Sequence, residues 1–370
     1  VAFEDVHRVD DPAFFAFLDL LIERLGARWS IAITSRAEPP LALARLRARD
    51  ELAEFRQLQL QFARDDARRL AAESGLDMTI ADRLFDRTQG WPAGMRIAIG
   101  AVLAGDAPNT PASNVSERAL RASERPMFEF LVTEVLNQLP ADLGDFLLRV
   151  SVLPELEASR CAQVAGNTNA ARLLDEIERL GLFVDMLDAP VRTLRLHDLF
   201  RDALLQRLHQ HDPQLLAEMR RRAADTEPDP IRRITLLLDA GELDAAAKLV
   251  FEHVPPMLSG AGLSTASHLI GRFPPTFAQS SPELLFVGGN IAWIIWDFQT
   301  MLSSFERAEE AFARSGDRQN ELWARVHRAV GLIAMGGLDE SSALVASMRE
   351  LELSVSTRIM VLHAESWLAI

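Results

Sequence analysis

The chain has 370 residues, enough for two or three domains with ordinary hydrophobic cores. Its formal net charge is −14 and its pI is about 5.1, so this segment by itself is predicted to repel phosphate backbones and to bind nucleic acid poorly. The single cysteine, Cys161, excludes internal disulfides and cysteine-rich zinc sites, and is predicted to be a small buried hydrophobe. Apolar runs are short and interrupted by charge, which indicates no signal peptide or membrane span and predicts a cytoplasmic protein.

The first 36 residues are predicted to form a strand, a helix and a second strand. Residues 1–5 and 29–36 are apolar runs, which are typical of parallel strands covered on both faces. Asp11 and Pro12 are a typical helix start between them. The apolar face of this helix is predicted to consist of Phe14, Phe17, Leu18, Leu21 and Leu25.

Charged side chains end both predicted strands. Glu4 and Asp5 end the first strand and Arg36 ends the second, and ligands bind beyond the carboxyl ends of parallel strands. An acidic pair can hold Mg²⁺ and polarise water, and an arginine can reach a terminal phosphate. The alternative is that the acids only solvate the strand end and pair with Arg8 or Arg36.

The next segment changes from mixed to helical patterning. Residues 37–60 are predicted to be a loop, a helix and a last strand at 55–60. The cluster Arg45, Arg47 and Arg49 is interpreted either as part of a nucleotide edge or as a solvated helix face.

Two helices are predicted at 65–74 and 79–88. Gly90 can end one helix and Pro92 can begin the next, so residues 90–94 are predicted to form a corner between helices.

A linker rich in Gly, Pro, Ser and Asn precedes a second folded segment. This segment reads as helices followed by a β-hairpin, at about 127–138, 141–150, 158–165, 170–180, 182–187 and 191–196. The pattern is typical of a winged helix, but its would-be recognition helix, at 171–180, carries Asp175, Glu176 and Glu178 and is too acidic to favour a DNA major groove. His197 lies between the hairpin and another helix and is interpreted either as a satisfied corner group or as a functional residue, and Asp198 is predicted to cap that helix.

The last segment, 212–370, reads as helical throughout. Similar turns at 240–244 and 335–339 combine small residues with a carboxylate, which is a weak signal for stacked helical hairpins of the tetratricopeptide type. Trp293, Trp296 and Phe298 are interpreted as core residues or, alternatively, as the lining of a ligand groove.

Several of these motifs together resemble a family. Residues 3–12 (FEDVHRVDDP) and 34–40 (TSRAEPP) look like the Walker B strand and the first sensor strand of signal-transducing STAND ATPases. The closest subgroup is that of the large MalT-like, LuxR-type transcriptional regulators. Gly-Trp-Pro-Ala-Gly at 90–94 resembles their lid, and Leu196-His197-Asp198 resembles their Met-His-Asp motif with leucine in the first place.

The resemblance implies roles for five residues and a set of cofactors. Asp5 would be the catalytic residue that polarises water, and Glu4 would hold Mg²⁺ where the family usually has aspartate. Arg36, Pro92 and His197 would bind ATP or ADP, with Pro92 against the adenine and His197 at the β-phosphate.

The fold class implied is mainly α with an N-terminal α/β piece. The predicted domains are the C-terminal part of a P-loop ATPase core (1–62), a helical lid (63–106), a linker (107–126), a winged helix (127–211) and a helical-repeat sensor (212–370). A phosphate loop requires Gly-x-x-x-x-Gly-Lys-Ser/Thr. The only lysine is Lys248, in a helical stretch, so the chain is predicted to be an internal fragment without that loop and without the family's C-terminal helix-turn-helix.

The function predicted is that of the central fragment of an ATP-dependent, ligand-responsive regulator that acts as a nucleotide-controlled switch. Hydrolysis would be slow at most and absent from the fragment. An inducer would bind the helical repeats, the active form would self-associate, and DNA would be bound only through the missing domain. The alternatives are a non-catalytic helical scaffold on a degenerate nucleotide fold and, less in keeping with the winged helix and repeats, a mechanical AAA-type ATPase.

Overall fold

A computed structural model describes residues 1–9, 11–26, 28–35, 38–105, 125–188, 190–258 and 262–369. The fold is mainly helical with two small sheets. It divides into two compact units, Val1–Met219 and Arg220–Ile370.

The first unit begins with the predicted strand–helix–strand. Strands β1 (Ala2–Phe3) and β2 (Ala32–Ile33) pair in parallel, with Ala2 opposite Ala32 and Phe3 opposite Ile33. They flank helix α1 (Pro12–Arg24), which Asp11 caps by accepting a hydrogen bond from the Ala13 amide at 2.9 Å. The expectation that both strands are covered on both faces is wrong for the described residues, where each strand alternates between exposed and half-buried.

The predicted apolar face of α1 is only partly correct. The fully buried residues of the helix are Phe15 and Leu18, whereas Phe17 is 55% exposed. Because α1 is apolar on nearly all sides, its periodicity is compatible with several rotations of the helix about its axis. Packing against the rest of the unit selects one of them.

Residues 55–60 do not form the predicted strand. Helix α2 (Leu43–Ala48) is followed by a single helical turn, α3 (Gln57–Leu60). Its backbone bonds are local, since the amides of Gln59 and Leu60 donate to the Arg56 carbonyl. The Arg56 amide in turn donates to Gln59 Oε1 at 3.0 Å, and this local closure replaces pairing with a sheet.

The two helices predicted at 65–74 and 79–88 are present, and a third begins at Pro92, as predicted. They are α4 (Arg64–Glu73), α5 (Met78–Thr88) and α6 (Pro92–Gly105). Gly75 follows α4 in the left-handed conformation, with φ +78°, and Pro92 is the first residue of α6.

The winged helix is confirmed, with one strand more than predicted. Its elements are α7 (125–134), α8 (Ala141–Val150), β3 (Leu156–Glu157), α9 (Ala158–Ala165), α10 (Ala170–Arg179), β4 (Val184–Leu187) and β5 (Thr193–Leu196). The antiparallel sheet has the order β3-β5-β4, with Leu156 opposite Leu194 and Val184 opposite Leu196. Strand β3 has only two residues, too few for a sequence pattern to reveal.

The core of this domain lies between its helices and the sheet. Its fully buried members include Leu143, Phe146, Leu147, Cys161, Leu173, Ile177 and Leu194. Burial raises the pKa of the Cys161 thiol to about 12, so this cysteine is the inert core residue that was predicted. Helices α11 (Asp198–His211) and α12 (Pro213–Asp225) follow the hairpin.

The second unit is helical, as predicted. Its helices are α13 (Pro230–Ala240), α14 (Leu243–Met257), α15 (Gly262–Gly271), α16 (Pro275–Ala278), α17 (Pro282–Ile294), α18 (Phe298–Ser315), α19 (Arg318–Ala334), α20 (Leu338–Met348) and α21 (Val355–Leu368). Successive helices pack as hairpins around apolar clusters that continue along the stack. Across the described residues, every helix falls short of the length or apolarity that crossing a bilayer would need.

Candidate functional site

The carboxyl ends of β1 and β2 are joined, as the sequence indicated. The Asp5 amide donates to Thr34 Oγ1 at 3.0 Å and the Val6 amide donates to the Thr34 carbonyl at 3.0 Å. Asp5 itself adopts the left-handed conformation, with φ 52°, which aspartate tolerates better than most residues. The two strand ends therefore meet at one edge, and the loop after β1 turns sharply there.

Glu4 and Asp5 are both exposed at this edge. Neither carboxylate forms an ion pair with a described residue, and Arg36 lies outside the described residues. Within the ranges that the structure describes, no group of three His, Cys, Asp or Glu side chains is placed to hold a metal ion. Mg²⁺ commonly uses one or two carboxylates together with phosphate oxygens and water, so a pair of carboxylates at this edge would need no third protein ligand.

An open cleft of about 560 Å³ lies beside the strand ends. The cleft brings Val6 and Ser35, just beyond the two strands, next to Arg179 from the last turn of α10. Its lining comprises Val6, His7, Val9, Pro12, Phe15, Ala16, Asp19, Ser35, Glu38, Pro39, Pro40 and Arg179, without Glu4 or Asp5. Sequence reasoning did not identify Arg179, because only the fold brings α10 to this edge.

Two arginines of the basic cluster, both in α2, form ion pairs with acidic side chains. Arg45 pairs with Glu23 at 2.6 Å and Arg47 pairs with Glu54 at 2.8 Å. The hydrogen bond from Arg47 lowers the pKa of Glu54 to about 2. These pairs fit a solvated helix face, the second interpretation of the cluster.

The Gly-Trp-Pro corner is tightly packed. Gly90 has φ +77°, and its carbonyl accepts a hydrogen bond from the Phe62 amide at 2.8 Å. A Cβ on Gly90 would lie 2.4 Å from the Phe62 carbonyl oxygen, and one on Gly94 would lie 2.2 Å from the Trp91 ring. Both glycines of this motif are therefore required by the packing of the corner that begins α6 at Pro92.

His197 is buried at the start of α11, with 5% of its surface exposed. It is the N-cap of that helix, because its Nδ1 accepts a hydrogen bond from the Leu199 amide at 3.3 Å. The prediction that Asp198 is the cap is wrong; Asp198 is the first helical residue, and its carboxylate lies 3.6 Å from the Arg195 guanidinium. His197 has the non-helical backbone angles of an N-cap residue, with φ −55° and ψ 133°, and its Nδ1 is close enough to accept the Leu199 amide. His197 therefore caps the helix in place of Asp198.

The capping bond determines the tautomer of His197. Since Nδ1 is an acceptor, the proton of the neutral ring is on Nε2, which can then act as a donor. Burial lowers the pKa of His197, and the carboxylates of Asp198 and Asp185 oppose this only in part, so the ring is neutral near pH 7. Nε2 is buried near the backbone of Thr88 without a well-formed hydrogen bond to any described residue.

Phe183 connects the Gly-Trp-Pro corner with His197. Its ring centroid lies 5.4 Å from that of Trp91 and 6.4 Å from that of His197, and its carbonyl accepts the His197 amide at 2.7 Å. Phe183 has φ 50°, an uncommon conformation for a bulky residue. Phe130 and Phe200 complete the cluster, at 5.6 Å from Trp91 and 5.3 Å from Phe183.

Polar contacts beside this aromatic cluster join the end of α5 to α11. Arg87, near the end of α5, pairs with Asp202 of α11 at 2.8 Å, and Gln89 donates to Asp198 at 3.5 Å. We call the aromatic cluster and these pairs the lid junction. It contains His197 and Trp91, the residue before Pro92, whereas no hydrogen bond, ion pair or ring contact within the described residues links it to Glu4 or Asp5.

Sequence reasoning missed Phe183, Arg87 and Asp202. Each lies in a stretch with a clear helix or strand pattern, in which neither an aromatic residue nor an isolated charge stands out. The left-handed φ of Phe183 has no sequence signal, because such residues are usually Gly, Asn or Asp.

The charged side chains of α10, the would-be recognition helix, form local ion pairs. Arg192, at the hairpin, pairs with both Asp175 and Glu178. Arg172 pairs with Asp142 at 3.2 Å and with Glu176 at 3.3 Å. These acids and their partners leave α10 without the excess of positive charge that binding to DNA phosphates requires.

Residues 132–216 match the family described as the MalT winged helix domain. The chain is 26% identical over 314 residues to the HTH-type transcriptional regulator MalT of Yersinia enterocolitica serotype O:8 / biotype 1B, and equally to that of Yersinia pestis strain Pestoides F. Each alignment covers 83% of this chain and 34% of the relative, so the chain spans about a third of the length of the curated relatives it matches.

A solved STAND protein with a tetratricopeptide repeat sensor, from Pyrococcus horikoshii, covers 99% of this chain with 69% of its own. Its sequence identity is 11% and its TM-score is 0.23, which is too low to bear on the fold. The chain is thus similar in sequence to the MalT-type transcriptional regulators, and its residues 132–216 match the MalT winged-helix domain.

Proposed function

We propose that this chain is the central section of a ligand-responsive, MalT-type transcriptional regulator and that the lid junction is its nucleotide-controlled switch. The observation that carries the proposal is the placement of His197. Its Nε2–H is a buried donor without a well-formed partner, in the cluster that also packs the Trp91–Pro92 corner.

The residues of the junction suit a nucleoside diphosphate in part. A phosphate oxygen is an acceptor that can satisfy the Nε2–H of His197, and this donor is present whether the ring is neutral or charged. Pro92 would lie against the adenine, as the resemblance implies, and Arg36 would reach a phosphate. The phosphate loop is not among these residues, because Lys248 belongs to α14.

The two states of the switch would differ in whether the contacts of the lid junction are made. In the closed state, the Arg87–Asp202 pair and the Trp91–Phe183 contact hold lid and winged helix together. ADP bound to His197 would add to these contacts and favour the closed state, since a ligand shifts an equilibrium only by its differential affinity for the two states. ATP together with an inducer would favour an open state in which chains self-associate.

Hydrolysis would reset the switch and would be slow at most. Asp5 would polarise the attacking water and Glu4 would hold Mg²⁺ jointly with the phosphates of the nucleotide. The inducer would bind to the helices of the second unit, DNA would be bound by a domain outside this chain, and the protein would work in the cytoplasm.

A non-catalytic scaffold is the second candidate. Glu4 and Asp5 are exposed and unpaired among the described residues, and Glu4 stands where the family usually has aspartate. A scaffold would keep the lid junction permanently closed and would use the second unit alone for binding.

The test is His197→Ala in the whole protein that contains this chain. We expect less ADP to remain bound after purification, as measured by chromatography of the nucleotide released on denaturation, and higher transcription from a reporter without inducer. His209→Ala, an exposed histidine on the same helix, is the matched control and should change neither. Unchanged nucleotide content in His197→Ala would refute the switch and leave the scaffold.

A further inference from the structure

The second unit exposes a group of large apolar side chains where α17 turns into α18. Trp296 is 77% exposed and Ile295 is 56% exposed, and Trp293 and Ile294 are each 38% exposed. The Trp296 ring lies 5.7 Å from Phe298, edge to face. Trp296 is therefore not a core residue, which was one of the two interpretations of these aromatic side chains.

The backbone of Trp296 strengthens this point. It has φ +63°, in the left-handed region, which is strained for a bulky residue. The equivalent left-handed position in three other helix–helix turns of the unit is a glycine: Gly241, Gly316 and Gly336. Glycine adopts the left-handed conformation of such a turn without strain, so the turn itself does not require a tryptophan at position 296.

A second turn of the unit extends the exposed patch. Because α17, α18, α19 and α20 are packed consecutively through short turns, the α17–α18 and α19–α20 turns lie at the same edge of the stack. Close packing supports this, since a Cβ on Gly331 would meet Met301 Cε at 2.5 Å. Met335 and Leu338 at the second turn are 53% and 51% exposed. We call the six exposed apolar residues of the two turns the aromatic edge; they are Trp293, Ile294, Ile295, Trp296, Met335 and Leu338.

The two turns that form the aromatic edge carry only acidic charges in their own sequence. Residues 287–305 and 329–348 contain no Lys, Arg or His and three carboxylates, which are Asp297, Asp339 and Glu340. All three are exposed, and Glu340 already pairs with Arg328 at 3.2 Å. An apolar surface with a mainly acidic border is complementary to an apolar surface with a basic border.

We propose that the aromatic edge is a docking surface for a basic amphipathic helix of a partner protein. The apolar face of that helix would cover Trp296 and its neighbours, and its flanking lysines or arginines would meet Asp297 and Asp339. Large aromatic anchors surrounded by a polar rim are typical of such recognition. The surface belongs to the second unit, so the proposal is independent of the nucleotide switch.

The experiment measures binding of two labelled peptides to this chain by fluorescence anisotropy. The first peptide has leucine and lysine at amphipathic helical spacing, and the second has glutamate in place of lysine. We expect the lysine peptide to bind, and to bind less tightly as salt is raised. Trp296→Gly should weaken this binding by at least about tenfold, the loss typical of an aromatic anchor.

Two further variants separate recognition from stability. Trp367→Ala removes a similarly exposed tryptophan of the same unit, 56% exposed, and should leave binding unchanged. Asp339→Asn should weaken binding of the lysine peptide. The thermal midpoint of Trp296→Gly should equal or exceed that of the parent chain, because the strained conformation is relieved.

Three results would overturn the proposal. They are equal binding of both peptides or of neither, binding that Trp296→Gly leaves intact, and a thermal midpoint of Trp296→Gly below that of the parent, which would make Trp296 a structural residue. Dimers in sedimentation analysis that Trp296→Gly abolishes would instead assign the edge to a second copy of the chain.

Discussion

His327 shows how strongly packing can change a single side chain. Its ring lies 4.3 Å from Trp323 and 4.9 Å from Phe286, in the core of the second unit. Nδ1 is 2.9 Å from the Trp323 carbonyl and therefore carries the proton of the neutral ring. Burial lowers the pKa of His327 to about 4.

The first prediction is a pH dependence of stability due to His327. The unfolded chain binds a proton at His327 near pH 6.5, and the folded chain binds it only near pH 4. The stabilisation is therefore complete above pH 6.5 and is lost as pH falls from 6.5 to 4, by at most about 3 kcal/mol. Urea unfolding followed by circular dichroism across this range measures it.

His327→Gln is the comparison for this prediction. It should be less stable at pH 7 but should lose less stability on acidification than the parent. His209→Gln, at an exposed position, should show the same pH dependence of the free energy of unfolding as the parent. An equal pH dependence of the parent and His327→Gln would contradict the prediction.

Glycines with the same φ differ in what surrounds them. Gly90 and Gly316 have φ +77° and +79°, but only Gly90 faces a close backbone atom, the Phe62 carbonyl oxygen. Gly316→Ala should cost about 1 kcal/mol, the strain of a left-handed alanine. Gly90→Ala should cost at least about 2 kcal/mol more, because the clash adds to that strain. Chemical denaturation of both variants tests this, and equal losses would show that the corner yields without cost.

At the scale of elements, the lid junction joins helices that are distant in sequence. Arg87 of α5 and Asp202 of α11 form an ion pair whose side chains are 23% and 39% exposed. The aromatic contacts of Phe183 lie in the same junction. The junction therefore combines a partly exposed charge pair with contacts between aromatic rings.

A double-mutant cycle on Arg87→Gln and Asp202→Asn should give a coupling free energy of about 0.5–1 kcal/mol, reduced by the exposure of Asp202. The exposed pair Arg149–Asp145 within α8 is the control and should give about 0.3 kcal/mol. The free energies come from urea unfolding of this chain. A coupling of zero at the junction would assign its cohesion to the aromatic cluster alone.

At the scale of the whole molecule, the chain consists of two units with separate cores. The apolar clusters of the second unit run from Ala224 to Leu368 and are built from its own helices. The domain boundaries predicted from the sequence are not tested by these observations and stay predictions.

Residues 213–370, beginning at α12, should fold when expressed alone, because these clusters are complete within them. We expect a helical circular dichroism spectrum and one cooperative thermal transition. The complementary piece, residues 1–212, is the comparison, and its protection is measured by hydrogen exchange. A fragment without a cooperative transition would show that the second unit requires the first.

What could be predicted from the sequence is local. Caps and breakers such as Asp11, Pro92 and Gly75 act within one turn of the chain, so the helices that they bound were correct. The winged helix and the relation to MalT-type regulators also followed from contiguous motifs. The roles of Glu4, Asp5, Arg36, Pro92 and His197 came from the same motifs and stay predictions.

What only the tertiary structure decided involves residues far apart in the chain. The rotation of α1 that buries Phe15, the helical turn at 57–60, the cap by His197 and its meeting with Trp91 through Phe183 all depend on which surfaces pack together. Apolar periodicity states that a side chain can be buried, but the packing partners determine whether it is. For the same reason the core was one of two interpretations open for Trp296, and the fold places this side chain at the surface.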